Sequence, residues 1–386
     1  MTMYRPTRNV FLLSLVSFFN DLSSEMVLSV FPAFFVSVLK TGAGSLGFVE
    51  GLADGASNII KIYSGRWSDK VRKRKPFILS GYSLSVATRP LYLAVTTVAG
   101  AAGLRFLDRV GKGLRDSPRD AMISLSTPKE ELGRAYGFHR MFDTLGAIAG
   151  PLVAYLILRA YPNGFRAVFL TAFFAGLLAV GSLFFVTEVV GEYKKNRGAG
   201  GSIGSFSTSF KRYLLALFLL SIGSIPVAVL LLKTQSIGLT LASVPLFYLV
   251  YNLSYAVFSF PAGKMSDRVG AKGVIALGYV LLLLGYGVLA LASGTAVLVV
   301  GFLVLGFFPA LTDGVQRAFA AELSPEAYRG TAIGFVNGIS GIGLLLAGVS
   351  GGYLWQTFGA NTAFFVASFF VVLGINILWH VVPSRT

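Results

Sequence analysis

Apolar residues run along this chain in stretches of about 20, long enough to cross a hydrocarbon core of about 30 Å as helices. Short polar turns separate them. Twelve such stretches can be drawn, over approximately 10–39, 43–66, 77–99, 101–122, 136–160, 164–187, 212–232, 241–263, 273–293, 296–317, 331–355 and 361–382. They predict an all-α membrane protein with twelve transmembrane helices. A polar, Gly/Ser-rich segment at 188–211 reads as a flexible linker. It leaves six spans in a bundle over 1–187 and six in a second bundle over 212–386, with no room for a soluble domain. The first span carries Asp21 and Glu25 and no small-residue cleavage pattern follows it, so it reads as a span rather than a signal peptide.

Composition agrees with the pattern. The 386 residues are 54% hydrophobic and 13% charged, against about 25% charged in an ordinary soluble chain. With no Cys there is no disulfide, thiol nucleophile or Cys-ligated metal. The two histidines, His139 and His380, are far apart in sequence, and no Gly-Lys-Ser/Thr phosphate loop is present. The expectation is a protein that is not an enzyme and holds no cofactor and no metal.

The net charge of +16 could suggest nucleic acid, but its distribution points to a membrane. Lys70, Arg72, Lys73, Arg74 and Lys75 crowd one loop, and Lys194, Lys195, Arg197, Lys211 and Arg212 crowd the linker. Both fall on the side that holds the two termini. The opposite loops hold Lys40, Arg159, Arg166 and Lys233. By the positive-inside rule both termini are cytoplasmic. The expected partners are the lipid bilayer and a small-molecule substrate, with no nucleic acid. One chain already holds both halves, so a monomer suffices.

The two halves repeat. Gly65-Arg66-Trp67-Ser68-Asp69-Lys70 recurs as Gly263-Lys264-Met265-Ser266-Asp267-Arg268. Pro128, Gly133-Arg134 and Gly137-Phe138 recur as Pro325, Arg329-Gly330 and Gly334-Phe335, at the same offset to within one residue. Two six-helix pseudo-repeats are a transporter architecture. The layout and the doubled Gly-x-x-x-Asp-Lys/Arg motif after spans 2 and 8 resemble the major facilitator superfamily over nearly the whole chain. Arg109-x-x-x-Gly113 in span 4 is similar to the Arg-containing motif of that family. Gly146-x-x-x-Gly150-Pro151 in span 5 resembles the signature of its proton-driven efflux members, without the trailing glycine pair (Ala154-Tyr155).

A charge at the bilayer centre costs at least about 2.5–3.5 kcal/mol on insertion scales and normally faces a cavity or a partner. Asp21 and Glu25 share one face of span 1, Glu50 and Asp54 one face of span 2, and Arg105, Arg109 and Lys112 one face of span 4, where Asp108 also lies. In the family this chain resembles, spans 1, 4, 7 and 10 line the central cavity. These residues, with Asp313 of span 10, are the candidates for proton coupling and the cavity, Asp21 foremost for its depth. Two readings stand for the bases of span 4: cavity groups, or a structural network neutralising the acids. Arg89 is expected to pair with an acid of span 2 or 4. Asp313 is either a substrate contact or a helix-end group.

Gly65, Asp69, Lys70, Arg115, Arg119, Gly263, Asp267 and Arg268 are read as a cytoplasmic gate, with acids pairing in one conformation only. Gly146, Gly150 and Pro151 are read as helix packing, small residues permitting close approach. Gly111 and Gly113 are expected to pack against span 5. The expected function is secondary active transport by alternating access, as proton-coupled export of a small compound across the inner (plasma) membrane. The alternatives are proton-coupled uptake or exchange of an anionic metabolite, clamped by Arg105, Arg109 and Lys112, or flipping of a lipid.

Overall fold

A computed structural model describes residues 6–128, 131–189, 203–324 and 328–381. Every regular segment among them is helical: α1 Arg8–Ser37, α2 Ala43–Val71, α3 Lys75–Leu91, α4 Val98–Leu125, α5 Leu132–Ala160, α6 Phe165–Leu183, α7 Thr208–Ile222, the short α8 Val227–Leu230 and α9 Lys233–Ser236, then α10 Val244–Val269, α11 Ala271–Ala290, α12 Thr295–Glu322, α13 Arg329–Phe358 and α14 Ala360–Val381. Nine helical segments among the described residues are long and apolar enough to cross a membrane. Of the twelve expected spans, α2, α3 and α4 are absent from that set. Their charged positions lower the hydropathy of α2 and α4, and α3 has 17 residues.

The chain packs as two compact units. One comprises Met1–Lys40, Ala56–Lys194 and Thr240–Leu249, the other Thr41–Gly55, Lys195–Leu239 and Val250–Thr386. In the first, α1 is nearly encircled. It packs along α5 and α6 and touches α3 and α4, which is why its buried positions run all round the helix. Thr7 caps α1 by accepting from the Val10 N–H, and Thr97 caps α4 in the same way. One end of this unit is an aromatic knot. Phe34 stands edge-on to Phe165, Phe169 and Tyr92, and Tyr92 stacks on Phe169 at 5.1 Å. The other end is aliphatic around Leu13, Ile78, Ile123 and Leu183.

The loop after α2 is tied down at this aliphatic end. The Glu188 carboxylate accepts from the backbone N–H groups of Arg74 and Lys75 at 2.9 and 2.8 Å, satisfying the exposed start of α3. Lys75 Nζ in turn donates to the carbonyls of Phe184 and Val186 beyond α6.

In the second unit, the N-terminal part of α2 lies on α13 through glycine. A Cβ on Gly47 would strike the Gly348 backbone, one on Gly51 would sit 2.9 Å from the Leu345 carbonyl oxygen, and one on Gly55 3.0 Å from that of Gly341. No larger residue fits where backbones meet like this. The single span expected over 212–232 is broken. α7 stops at Ile222, Pro226 offers no N–H to continue it, and α8 follows. Tyr286 of α11 repairs the break: its hydroxyl accepts from the Ile225 N–H and donates to the Gly223 carbonyl, both at 2.9 Å. Freed backbone groups at membrane depth need such a partner.

Candidate functional site

The first unit concentrates its acids where α1 meets α5. Gly146 and Gly150 of α5 lie directly over the acidic face of α1. A Cβ on Gly146 would fall 2.5 Å from the Phe18 carbonyl oxygen and 3.1 Å from the Asp21 Cβ. One on Gly150 would fall 2.9 Å from the Glu25 Cβ. Pro151 is buried one residue further on. Gly146 and Gly150 thus meet α1 closely and seat the two acids.

That close approach brings a third acid into place. Asp143, one turn before Gly146, comes within side-chain hydrogen-bonding reach of Asp21. The Ser17 hydroxyl donates to Asp143, and Arg140 pairs with it at 3.0 Å. Asn20 donates to Asp21 at 3.0 Å, and the other charges acting on Asp21 are Glu25 and Lys112. The Tyr248 hydroxyl, at the start of α10, donates to Glu25 at 2.6 Å. His139, one turn before Asp143, is buried with Nε2 lacking a hydrogen-bond partner. Two carboxylates this close repel by about 4 kcal/mol at 4 Å in a medium of effective dielectric about 20. A positive charge beside them reduces that cost, and Arg140 already supplies one to Asp143.

The sequence reading assigns no role to Asp143 or Arg140 of span 5. It did not foresee Ser17 or the Tyr248 contact. The available signal was the spacing His139, Asp143, Gly146, which puts a titratable side chain one turn ahead of the packing glycines.

A second cluster lies between α3, α4 and α1. Asp108 receives Arg89 at 3.0 Å and Arg105 at 3.2 Å, all three fully buried. Arg89 also donates to Ser23 of α1, and Arg105 sits 5.4 Å from the centre of the Phe31 ring. Arg89 thus pairs with an acid of span 4, as expected. The structure pairs Arg105 with Asp108 in this helix contact. Arg109 is buried and Lys112 half-buried. Arg105 thus pairs with an acid of its own helix rather than with the acids of spans 1 and 2 that a neutralising network would join.

Further along α4, Arg115 donates to Ser85 at 2.7 Å and lies over the Tyr82 ring, buried inside the unit rather than at an open gate. Arg119 binds Asp120 at 3.1 Å and reaches towards Ser17 and Tyr82. Lys61 of α2 pairs with Asp116 at 3.1 Å. Gly113 receives Ile60 of α2, Gly65 faces Ser117, and Gly111 meets Gly81 of α3. The α4 glycines thus pack against spans 2 and 3 instead of span 5, because they lie on the faces of α4 turned away from α5.

Lys70 and Arg268 are exposed, and a Cβ on Gly263 would meet open space. The side chains of Asp69 and Asp267 lie outside the described residues. Glu50 is buried and Asp54 half-buried, both in the second unit. Asp313 is exposed there and accepts from the Tyr255 hydroxyl at 3.0 Å. Among the described residues no group of three or more His, Asp or Glu could hold a metal ion.

Comparison with known proteins places this architecture. The profile of the Major Facilitator Superfamily matches residues 13–231 and 202–386. An uncharacterised MFS-type transporter of Methanocaldococcus jannaschii is 33% identical over 379 residues, 97% of this chain and 95% of that protein. The multidrug resistance protein MdtH of Blochmanniella pennsylvanica is 33% identical over 132 residues, 31% of this chain and 30% of its own. Among solved structures, a variant of the nucleoside transporter NupG superposes with a TM-score of 0.81 at 16% identity, covering 96% of this chain and 99% of that one. The chain belongs to the Major Facilitator Superfamily and is a multi-pass membrane protein with the fold of a secondary transporter of small molecules.

Proposed function

We propose that this protein is a proton-coupled exporter of a small molecule and that the Asp21–Asp143 pair takes up the coupling proton. The observation that carries the reading is the seating of α5 on the acidic face of α1, where a Cβ on Gly146 would lie 3.1 Å from the Asp21 Cβ and Asp143 stands one turn away. Both acids sit near the middle of their helices. One proton relieves the repulsion between them. Loss of that proton leaves the site negative beside Glu25 and favours a cationic or amphipathic cargo. Protonation from outside then releases the cargo, and deprotonation towards the cytoplasm resets the site. The loop charges support cytoplasmic termini in the plasma membrane.

Export is favoured by the span 5 glycines, whose seating on the acids of α1 gives their resemblance to the efflux signature a physical role. The anion-clamp alternative loses support, since Arg105 is committed to Asp108.

The test is proton flux with purified protein in liposomes containing a pH-sensitive dye. The panel holds cationic drugs and dyes, nucleosides, sugars and organic anions, because the named relatives differ in cargo. The reading requires a cationic or amphipathic compound that moves protons in wild type and fails to in Asp21→Asn. Proton movement driven equally in both proteins would remove Asp21 from the mechanism. A response confined to anions would support the alternative.

A further inference from the structure

Outside the acid cluster, the first unit has an open pocket of about 580 Å³ where α2 ends and α3 begins. Its walls are Val71, Arg72, Lys73, Lys75, Pro76 and Leu79, with Glu188 at one side. The floor is built from fixed groups. Glu188 is held by two backbone N–H groups at the start of α3, and Lys75 by two carbonyls beyond α6. Arg72 stands on left-handed backbone, φ 58°, in the turn that leaves α2. Arg72 and Lys73 are exposed at the rim.

We infer that this pocket binds the headgroup of an anionic phospholipid, with the phosphate between Arg72 and Lys73 and the start of an acyl chain against Val71, Pro76 and Leu79. Two observations select a lipid over a free anion. First, the lining is amphipathic: Val71, Pro76 and Leu79 stand beside Arg72 and Lys73, side chains whose alkyl stems cover apolar surface while their charged ends reach water. A free phosphate uses the charged edge alone. Second, an aromatic pair of the kind found at membrane boundaries lies beside the pocket. Trp67, one turn earlier on α2, is 59% exposed and stands edge-on to Phe77 at 5.7 Å, the placement that interfacial aromatics take. Basic pockets at the ends of membrane helices attract anionic headgroups by about 1 kcal/mol per Lys or Arg near the surface. This inference does not depend on the direction or coupling of transport.

Native mass spectrometry of the full-length protein, with phosphatidylglycerol or phosphatidylcholine added in equal amounts, tests it. The expected result is a several-fold excess of phosphatidylglycerol adducts in wild type and near-equal binding in the Arg72→Gln/Lys73→Gln double variant. The control Lys211→Gln/Arg212→Gln removes the same charge at another exposed site and should keep the preference. Thermal unfolding of each variant at the wild-type midpoint shows that the fold is intact. The inference is overturned by equal binding of the two lipids to wild type, or by a preference that survives the Arg72/Lys73 change. It is also overturned by an equal loss in both double variants, which marks a general charge effect. Complete displacement of the lipid by millimolar inorganic phosphate would mean that the pocket is a free-anion site.

Discussion

Gly146 of α5 rests on Asp21 of α1 so closely that a Cβ added to the glycine would lie 3.1 Å from the Asp21 Cβ. The absence of a side chain at 146 lets α5 approach, and the approach carries Asp143 into reach of Asp21. The glycine motif and the acid pair therefore belong to one contact, in which packing sets the distance between two carboxyl groups.

Gly146→Ala is expected to destabilise, because its Cβ meets backbone, the Phe18 carbonyl oxygen at 2.5 Å, which cannot step aside. Overpacking of this kind costs about 1–3 kcal/mol. Gly181→Ala in α6, whose Cβ meets nothing within 4 Å, should be neutral or gain up to about 1 kcal/mol from helix propensity. Thermal unfolding in detergent should show a lowered midpoint for Gly146→Ala and an unchanged or raised one for Gly181→Ala. Equal midpoints would show that the α1–α5 approach is looser than described.

Asp108→Asn removes the counter-charge of both Arg89 and Arg105 in a fully buried contact. Leaving buried charges uncompensated costs about 3–5 kcal/mol, so expression and unfolding temperature should fall sharply. Asp313→Asn, on an exposed side chain with a tyrosine hydroxyl as its partner, should leave both nearly unchanged. A mild phenotype for Asp108→Asn would instead mark that residue as a working group of the transport cycle.

Tyr286→Phe deletes the hydroxyl that bridges the break in α7. Leaving the Ile225 N–H and the Gly223 carbonyl unpaired costs about 1–3 kcal/mol for each group. Hydrogen exchange should quicken locally at 223–226 while α11 stays protected. Unchanged exchange would mean that another group satisfies the break.

Much of this was legible in the sequence, and the limits are physical. Positions along one helix were readable. The i,i+4 spacing placed Asp21 and Glu25 together, the spacing of Gly146 and Gly150 marked a packing face, and Arg89 was expected to find an acid of span 2 or 4. Partners distant in sequence were not readable. Ser17 and Asp143 are 126 positions apart, Glu25 and Tyr248 223 apart, and nothing local reports either contact. Arg105 shows a second limit. Helical spacing puts it with Arg109 and Lys112, but its long side chain turns to Asp108 less than one turn away. The break at Gly223 to Pro226 was passed over because the apolar run continues through it, although Pro226 lacks the N–H that a continuous helix needs.

The most direct test of the acid pair needs no substrate. Infrared difference spectroscopy of the purified full-length protein, between acid and alkaline buffer, reads protonated carboxyl groups themselves. A carboxyl band that is present in wild type, absent in both Asp21→Asn and Asp143→Asn, and kept in Asp313→Asn is the predicted result. A band that survives unchanged in both Asp21→Asn and Asp143→Asn would contradict the shared proton, and with it the proposed coupling site.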